Sequence, residues 1–294
     1  TTYTTSDSST SNDTSETGSD CLPTVAHGTI NGQVYISSTA GWPGSNPDNF
    51  EVPEGTVVYA RYYVGVWSAL ANTTFNGNEL SAEGTYVSGM GVTWIAYDVT
   101  DYVIAGALNT ATSSSYGGDG RQYGNTLVVV LQNDDDPYIE YWITEGMDWL
   151  VGENAWSYTT LEGTVDLSFV QTASLYSVLL TGYGSENLNG NALPTATEYV
   201  GGGYFDALRW DDIQDLLVAE NQSVNVLGDG GYSSVVFHAL TIEYITYDLV
   251  PVSLTPNVVT PNTSNTLTST IQNRGNTDSS AFDVSLLVDG TVVD

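Results

Sequence analysis

The chain carries one pattern twice, and this duplication limits what it can fold into more than any other feature. From 60 it reads ARYYVGVWS, then FNGNEL, then WIAYDVTDYVIAG, then GGDGRQYGNTLVVVLQN. From 173 it reads ASLYSVLLTG, then LNGNAL, then LRWDDIQDLLVAEN, then GDGGYSSVVFHALTIEY. Asn76-Gly77-Asn78 matches Asn189-Gly190-Asn191, and Asp98 matches Asp211 at the same spacing. Asp119-Gly120 matches Asp229-Gly230 after a small gap. A repeat of about 110 residues is too long for a solenoid unit. It has the size of one β-sandwich domain.

Tyr, Trp, Val and Thr are abundant and long helical periodicity is absent, so the expected class is all-β. GTVVYARYYVGVWSA (55–69) is apolar nearly throughout, as expected of a central strand buried on both faces or between copies. GTINGQVYISS (28–38) reads as two strands around an Asn31-Gly32 turn. TLVVVLQN (126–133) and YIEYWITEG (138–146) flank the acidic turn Asp134-Asp135-Asp136-Pro137, read as a solvated hairpin tip. DVTDYVIAG (98–106) fits a helical turn or a strand, with Asp98 as a cap candidate. The expected architecture is two tandem jelly-roll-like β-sandwiches plus a partial immunoglobulin-like C-terminal module. The expected divisions are a polar tail over 1–24, a first sandwich over 25–163, a second over 164–247 and the incomplete module over 248–294.

The charge balance excludes several functions. There is no lysine, and Arg61, Arg121, Arg209 and Arg274 stand against 35 acids for a net charge of -31. Charged residues are only 13% of the chain, about half the usual 25%, so bases are missing rather than acids in surplus. Nucleic acid is excluded as a partner, because phosphate contacts need Lys and Arg. Direct attraction to anionic lipid is excluded likewise, and no segment is long and apolar enough to insert in a membrane. Thr1 opens a polar stretch without Met, which reads as a processed, exported chain.

Asp134, Asp135 and Asp136 with Glu140 form a candidate Ca²⁺ site, although their spacing matches no EF-hand loop. Otherwise no cofactor is expected. Asn12, Asn72, Asn221 and Asn262 open Asn-X-Ser/Thr sequons and permit glycosylation. Cys21, the single cysteine, is either a small buried apolar group or an intermolecular disulfide candidate. His27 and His238 have no metal-binding spacing, and Cys21 with His27 flanks a tail rather than a cleft. Arg121 and Arg209 suit local ion pairs. Trp42, Trp149 and Trp156, expected in Gly/Asn-rich loops, could stack on sugar rings or pack in a core.

The string from GTINGQVYI through VPEGTVVYARYYVGVW, FNGNEL, YDVTDYV, DGRQYGNTLVVV and YIEYWITEG resembles the DUF3344 family, over about 25–246. The resemblance implies a surface protein of methanogenic archaea. VSLTPN, IQNRGN and VSLLVDGTVV resemble the first half of a CARDB module, an adhesion-type immunoglobulin-like domain, with a hairpin at Val288-Asp289-Gly290-Thr291. The NGN and DVT pattern also resembles jelly-roll domains that accompany glycosidases and bind sugars.

Together these readings lead to a non-enzymatic, extracellular cell-surface protein. It would be the structural subunit of a filament, sheath or surface layer, with itself as partner through sandwich and terminal-strand contacts. The alternative is a monomeric adhesin or carbohydrate-binding protein with surface glycans as partners.

Overall fold

A computed structural model describes the chain apart from residues 1–21, 42–46, 119, 203, 247–248, 257, 259, 261–262, 274, 276–280, 289–290 and 294. Asn12, Cys21, Trp42, Asp119, Asn262 and Arg274 therefore lie outside the described residues. Contacts divide the chain into two compact units, Thr1–Tyr244 and Ile245–Asp294.

The strands of the first unit run β1 Thr24–Ala40, β2 Asp48–Val52, β3 Thr56–Trp67, β4 Leu70–Phe75, β5 Asn78–Glu79, β6 Gly84–Val87, β7 Val92–Asp98, β8 Ala107–Tyr116 and β9 Gln122–Gln132. They continue with β10 Tyr138–Thr164, β11 Val170–Leu180, β12 Gly184–Leu188, β13 Asn191–Ala192, β14 Glu198–Gly202, β15 Phe205–Trp210 and β16 Glu220–Tyr244. Two short 3-10 turns are the only helical elements among the described residues.

The pairing repeats as the sequence does. β9-β3-β7-β6 in the first copy has the order of β16-β11-β15-β14 in the second, all antiparallel. β8 pairs β4, and β4 pairs β5, as the N-terminal half of β16 pairs β12 and β12 pairs β13. In the first copy β8 and β9 lie in separate sheets. In the second, β10 and β16 run on as one long ribbon, with register shifts where it bends.

Strand β10 begins at Tyr138 and belongs to the second copy's pairing, so that copy starts well before 164. The apolar runs explain the layers. Side chains alternate faces along a strand. On β3 and β9, Tyr62, Val64, Leu127 and Val129 enter the first copy's core, while Tyr63, Val128 and Val130 enter a core shared with the second copy. The shared layer includes Val178, Leu180, Phe205 and Phe237. A third core lies inside the second copy around Trp142, Leu175, Trp210 and Leu240. The central strand is thus buried on both faces, between copies.

Asn31-Gly32 does not make a turn. β1 continues straight through it and changes neighbour: Thr24–Asn31 pair with β10, and Gly32–Ala40 pair with β9. Local turn propensity loses to two ladders supplied by residues about a hundred positions downstream. Glycine is needed because a Cβ on Gly32 would lie 2.0 Å from the Leu131 carbonyl oxygen. The acidic turn is likewise no hairpin tip, because β1 lies between β9 and β10 in the sheet.

The duplicated Asn-Gly turns are type I′, with both central φ positive: 47° and 80° at Asn76-Gly77, and 53° and 77° at Asn189-Gly190. Each asparagine also braces its copy. The Asn76 carboxamide accepts from Thr110 N–H and donates to Asn109 and the Tyr102 carbonyl. Asn189 does the same with Ser223, Gln222 and the Leu216 carbonyl. Asp98 ends β7 opposite Arg61 and accepts from Thr100 N–H at 2.8 Å, capping one tight turn. Asp211 follows β15 at the matching place and takes the Arg209 guanidinium at 2.8 Å.

In the second unit, β17 Leu249–Thr255 pairs β18 Thr268–Asn273, and β19 Leu286–Val288 pairs β20 Thr291–Val293. Val288 faces Thr291, and Asp289-Gly290 of the expected hairpin lie outside the described residues.

Candidate binding cleft

A cleft of about 210 Å³ opens where the two copies meet. Trp67, Met90 and Tyr123 line it from the first copy, and Trp149, Tyr204 and Tyr232 from the second. Duplication creates this site, since neither copy holds both walls. Trp149 and Tyr232 stand nearly parallel, with centroids 6.1 Å apart and 17° between planes. Trp67, Tyr123 and Tyr204 follow one another with centroids 6.5 and 5.5 Å apart. The Arg121 guanidinium lies over Trp67 at 5.7 Å. Gly89 sets the Trp149 ring, because a Cβ there would come within 2.2 Å of it. Flat aromatic faces, with Tyr204 and Tyr232 exposed, suit the apolar face of a sugar ring.

A second, wider cleft of about 910 Å³ lies in the first copy, lined by Thr73, Glu79, Thr85, Ile95 and Tyr97 among others. The matching strands of the second copy carry Glu186 for Thr73 and Tyr199 for Thr85. Tyr199 donates to Asp206 there. Glu186 is buried, with Oε1 unpaired among the described residues. Burial, then the nearby Asp206, pushes its carboxyl well above the ordinary range.

Another carboxylate ties the copies together. Glu145 on β10 is 3% exposed and accepts from Tyr63 at 2.7 Å and Tyr86 at 3.0 Å, both in the first copy. Arg61 lies 3.8 Å away and also pairs with Glu83. Burial alone would depress Arg61, but Tyr59, Glu145 and Glu83 together hold its proton more tightly than usual. A buried charge needs such partners.

The sequence candidates fall in separate places. Asp136 accepts from Gln33, while Glu140 is buried and accepts from His27 at 2.9 Å and Tyr244 at 2.6 Å. Asp134, Asp135, Asp136 and Glu140 do not gather: among the described residues no three His, Cys, Asp or Glu converge on a metal position. Asn72 on β4 and Asn221 near the start of β16 are both exposed. His27 stacks on Trp142 at 4.6 Å. His238 is buried, with Nδ1 bonded to Ser177 at 2.8 Å. Trp149 and Trp156 sit on β10, not in loops, and Trp156 stacks on Tyr158. Sequence reasoning missed Tyr123, Tyr204 and Tyr232, which come from distant stretches and become neighbours only through the fold.

Residues 15–243 match the family model described as a protein of unknown function (DUF3344), and 246–294 match CARDB. No curated protein matches. Among solved structures, the chain is similar to a β-porphyranase of glycoside hydrolase family 86 from the human gut bacterium Bacteroides plebeius. The identity is 12% over 79% of this chain and 38% of that one, with a TM-score of 0.28. A second structure is a peptide-N(4)-(N-acetyl-β-D-glucosaminyl)asparagine amidase, 10% identical over 71% of this chain and 96% of that one, with a TM-score of 0.25. The chain spans under two-fifths of the porphyranase. Such scores do not establish a common fold.

Proposed function

We propose that this chain, which belongs to the DUF3344 family, is a non-enzymatic structural subunit of an extracellular filament, sheath or surface layer. The observation that carries the reading is the fusion of the two sandwiches. β1 is an end strand of both pairing systems, and a common apolar layer lies between the copies. Such a block keeps its copies in fixed relation, as a repeating building element requires. The short outer strands β6 and β14 at the two ends of the long sheet offer edges to neighbouring copies. The test is electron microscopy of the purified full chain over a concentration series. Regular fibres or sheets are expected. A chain that stays monomeric at every concentration overturns the reading.

The aromatic cleft favours a second reading, a monomeric glycan-binding surface protein. Titration with glucose, galactose, mannose and N-acetylglucosamine, followed by tryptophan fluorescence, tests it. A response abolished by Trp149→Ala supports this alternative. No response to any of the four sugars removes it.

A further inference from the structure

The chain enters and leaves the double sandwich in a particular way. It enters at β1, whose first half pairs with β10 from Thr24–Thr144 to Asn31–Tyr138. It leaves along β16, which pairs with the other side of the same β10 stretch, from His238–Thr144 to Glu243–Ile139. Both are antiparallel to β10, so the entry and exit strands are parallel to each other with β10 between them. Thr24 lies level with Thr144 at one end of this stretch. The end of β16 lies level with Ile139, about 17 Å away along the strands. We infer that residues 24–244 form a mechanical clamp, in which tension between the N-terminal segment and the second unit loads the ladders in shear.

The mechanics follow from direction. A pull on Thr24 and Tyr244 runs along the strands in opposite senses. All backbone bonds of the β1–β10 ladder then share the load and must slip together. Had entry and exit lain at the same end, the bonds would open one pair at a time. The exit strand is the stronger side, because β16 is held by β10 and by β11. The entry strand has one neighbour at a time, β10 and then β9, so the first slip belongs to β1.

Two features reinforce β1. Leu22 is 1% exposed and packs with Leu150, Leu179, Val226 and Val235, so the chain is plugged into the second copy before the ladder begins. Glu140 on β10 accepts from His27 on β1 and from Tyr244 on β16, one carboxylate tying entry, centre and exit. The apolar layer adds a further barrier, since slip of β1 also drags Ala26 through the shared core.

This inference deepens the structural-subunit reading and depends on it only for the source of the load. Its test is single-molecule pulling of the full chain through two pairs of handles. Cys21, the only cysteine, with Thr246→Cys applies the shear direction. Cys21, through the Leu22 and Thr24 that follow it, with Val151→Cys loads β1 at its Thr24 end against the part of β10 beyond Thr144, and peels β1 from β10. The shear pair is expected to need a force on the order of twofold higher or more at the same pulling speed, since forced unfolding follows the unfolding barrier. It should release about 220 residues, roughly 700 Å of chain. Equal forces for the two pairs, or a weaker shear pair, overturn the clamp. This outcome is separate from electron microscopy: fibres without a force difference would keep the subunit and discard the clamp.

Discussion

Acid should weaken this protein through one buried ring, His238. Its side chain is fully buried on the face of β16 that turns away from Phe237 and Ala239 of the shared layer, toward the second copy's own core, and burial lowers its pKa from the ordinary 6.5 to about 3. The folded state therefore keeps the ring neutral where the unfolded chain already takes up a proton. Stability is complete above the unfolded value and falls as pH drops from 6.5 toward 3. At about pH 5 the unfolded state is favoured by about 2 kcal/mol relative to about pH 8, from RT ln(1 + 10^1.5). Glu186, its carboxyl raised by burial, acts in the opposite sense and is present in both proteins compared. The assay is urea unfolding by tryptophan fluorescence at a series of pH values, for the parent and for His238→Gln. The parent should lose about 2 kcal/mol more than the variant between about pH 8 and pH 5, with unchanged slopes against denaturant. Equal pH dependence in the two proteins would refute the reasoning.

Glu186→Gln should stabilise the chain at neutral pH, because a raised carboxyl costs stability as pH rises through its folded value; thermal melts should show the gain shrinking toward pH 4.5, its ordinary value. Asn76→Ala and Asn189→Ala should each cost about 1–3 kcal/mol in denaturant titrations, through the lost part-buried hydrogen bonds and the positive φ. Similar costs at the two sites would reflect their shared geometry, and a neutral effect at either would break the equivalence. Phe237 packs against Tyr63 at 5.4 Å and Tyr176 at 6.5 Å, one ring from each copy. Phe237→Ala should cost about 3–5 kcal/mol, and calorimetry should still show one transition for residues 24–244. Two separated transitions would mean the shared layer does not couple the copies.

Much of the fold is readable where neighbours in sequence decide it. Asn-Gly at two repeat positions leads directly to the I′ turns, and the apolar run over β3 to a strand covered on both faces. Asn31-Gly32 is the instructive failure. The same dipeptide is extended there, because pairing with β10 and β9 outweighs a local preference of about 1 kcal/mol. Glu145 and Glu186 look like any of the other acids in the sequence; only the layers above them make one a bridge and the other a buried proton carrier. The cleft was less legible still. Trp149 was a candidate, but its companions Trp67, Tyr123, Tyr204 and Tyr232 come from four other stretches and share no spacing rule.

The path of β1 also bears on how the chain acquires its structure. Its partners lie far away: His27 and Glu140 are 113 residues apart, and Ser38 meets Thr126 across 88. Loop closure over such spans is slow, and topologies rich in distant pairs fold slowly. During synthesis β1 emerges first, yet neither of its ladders can form until β9 and β10 have followed. The strand that starts the domain is among the last to find its place. An incomplete chain exposes an unpaired, largely apolar first copy, with the aggregation risk that brings. Passage of the chain in an extended state is correspondingly easy until β10 is made, and completion of the double sandwich is the step that commits it.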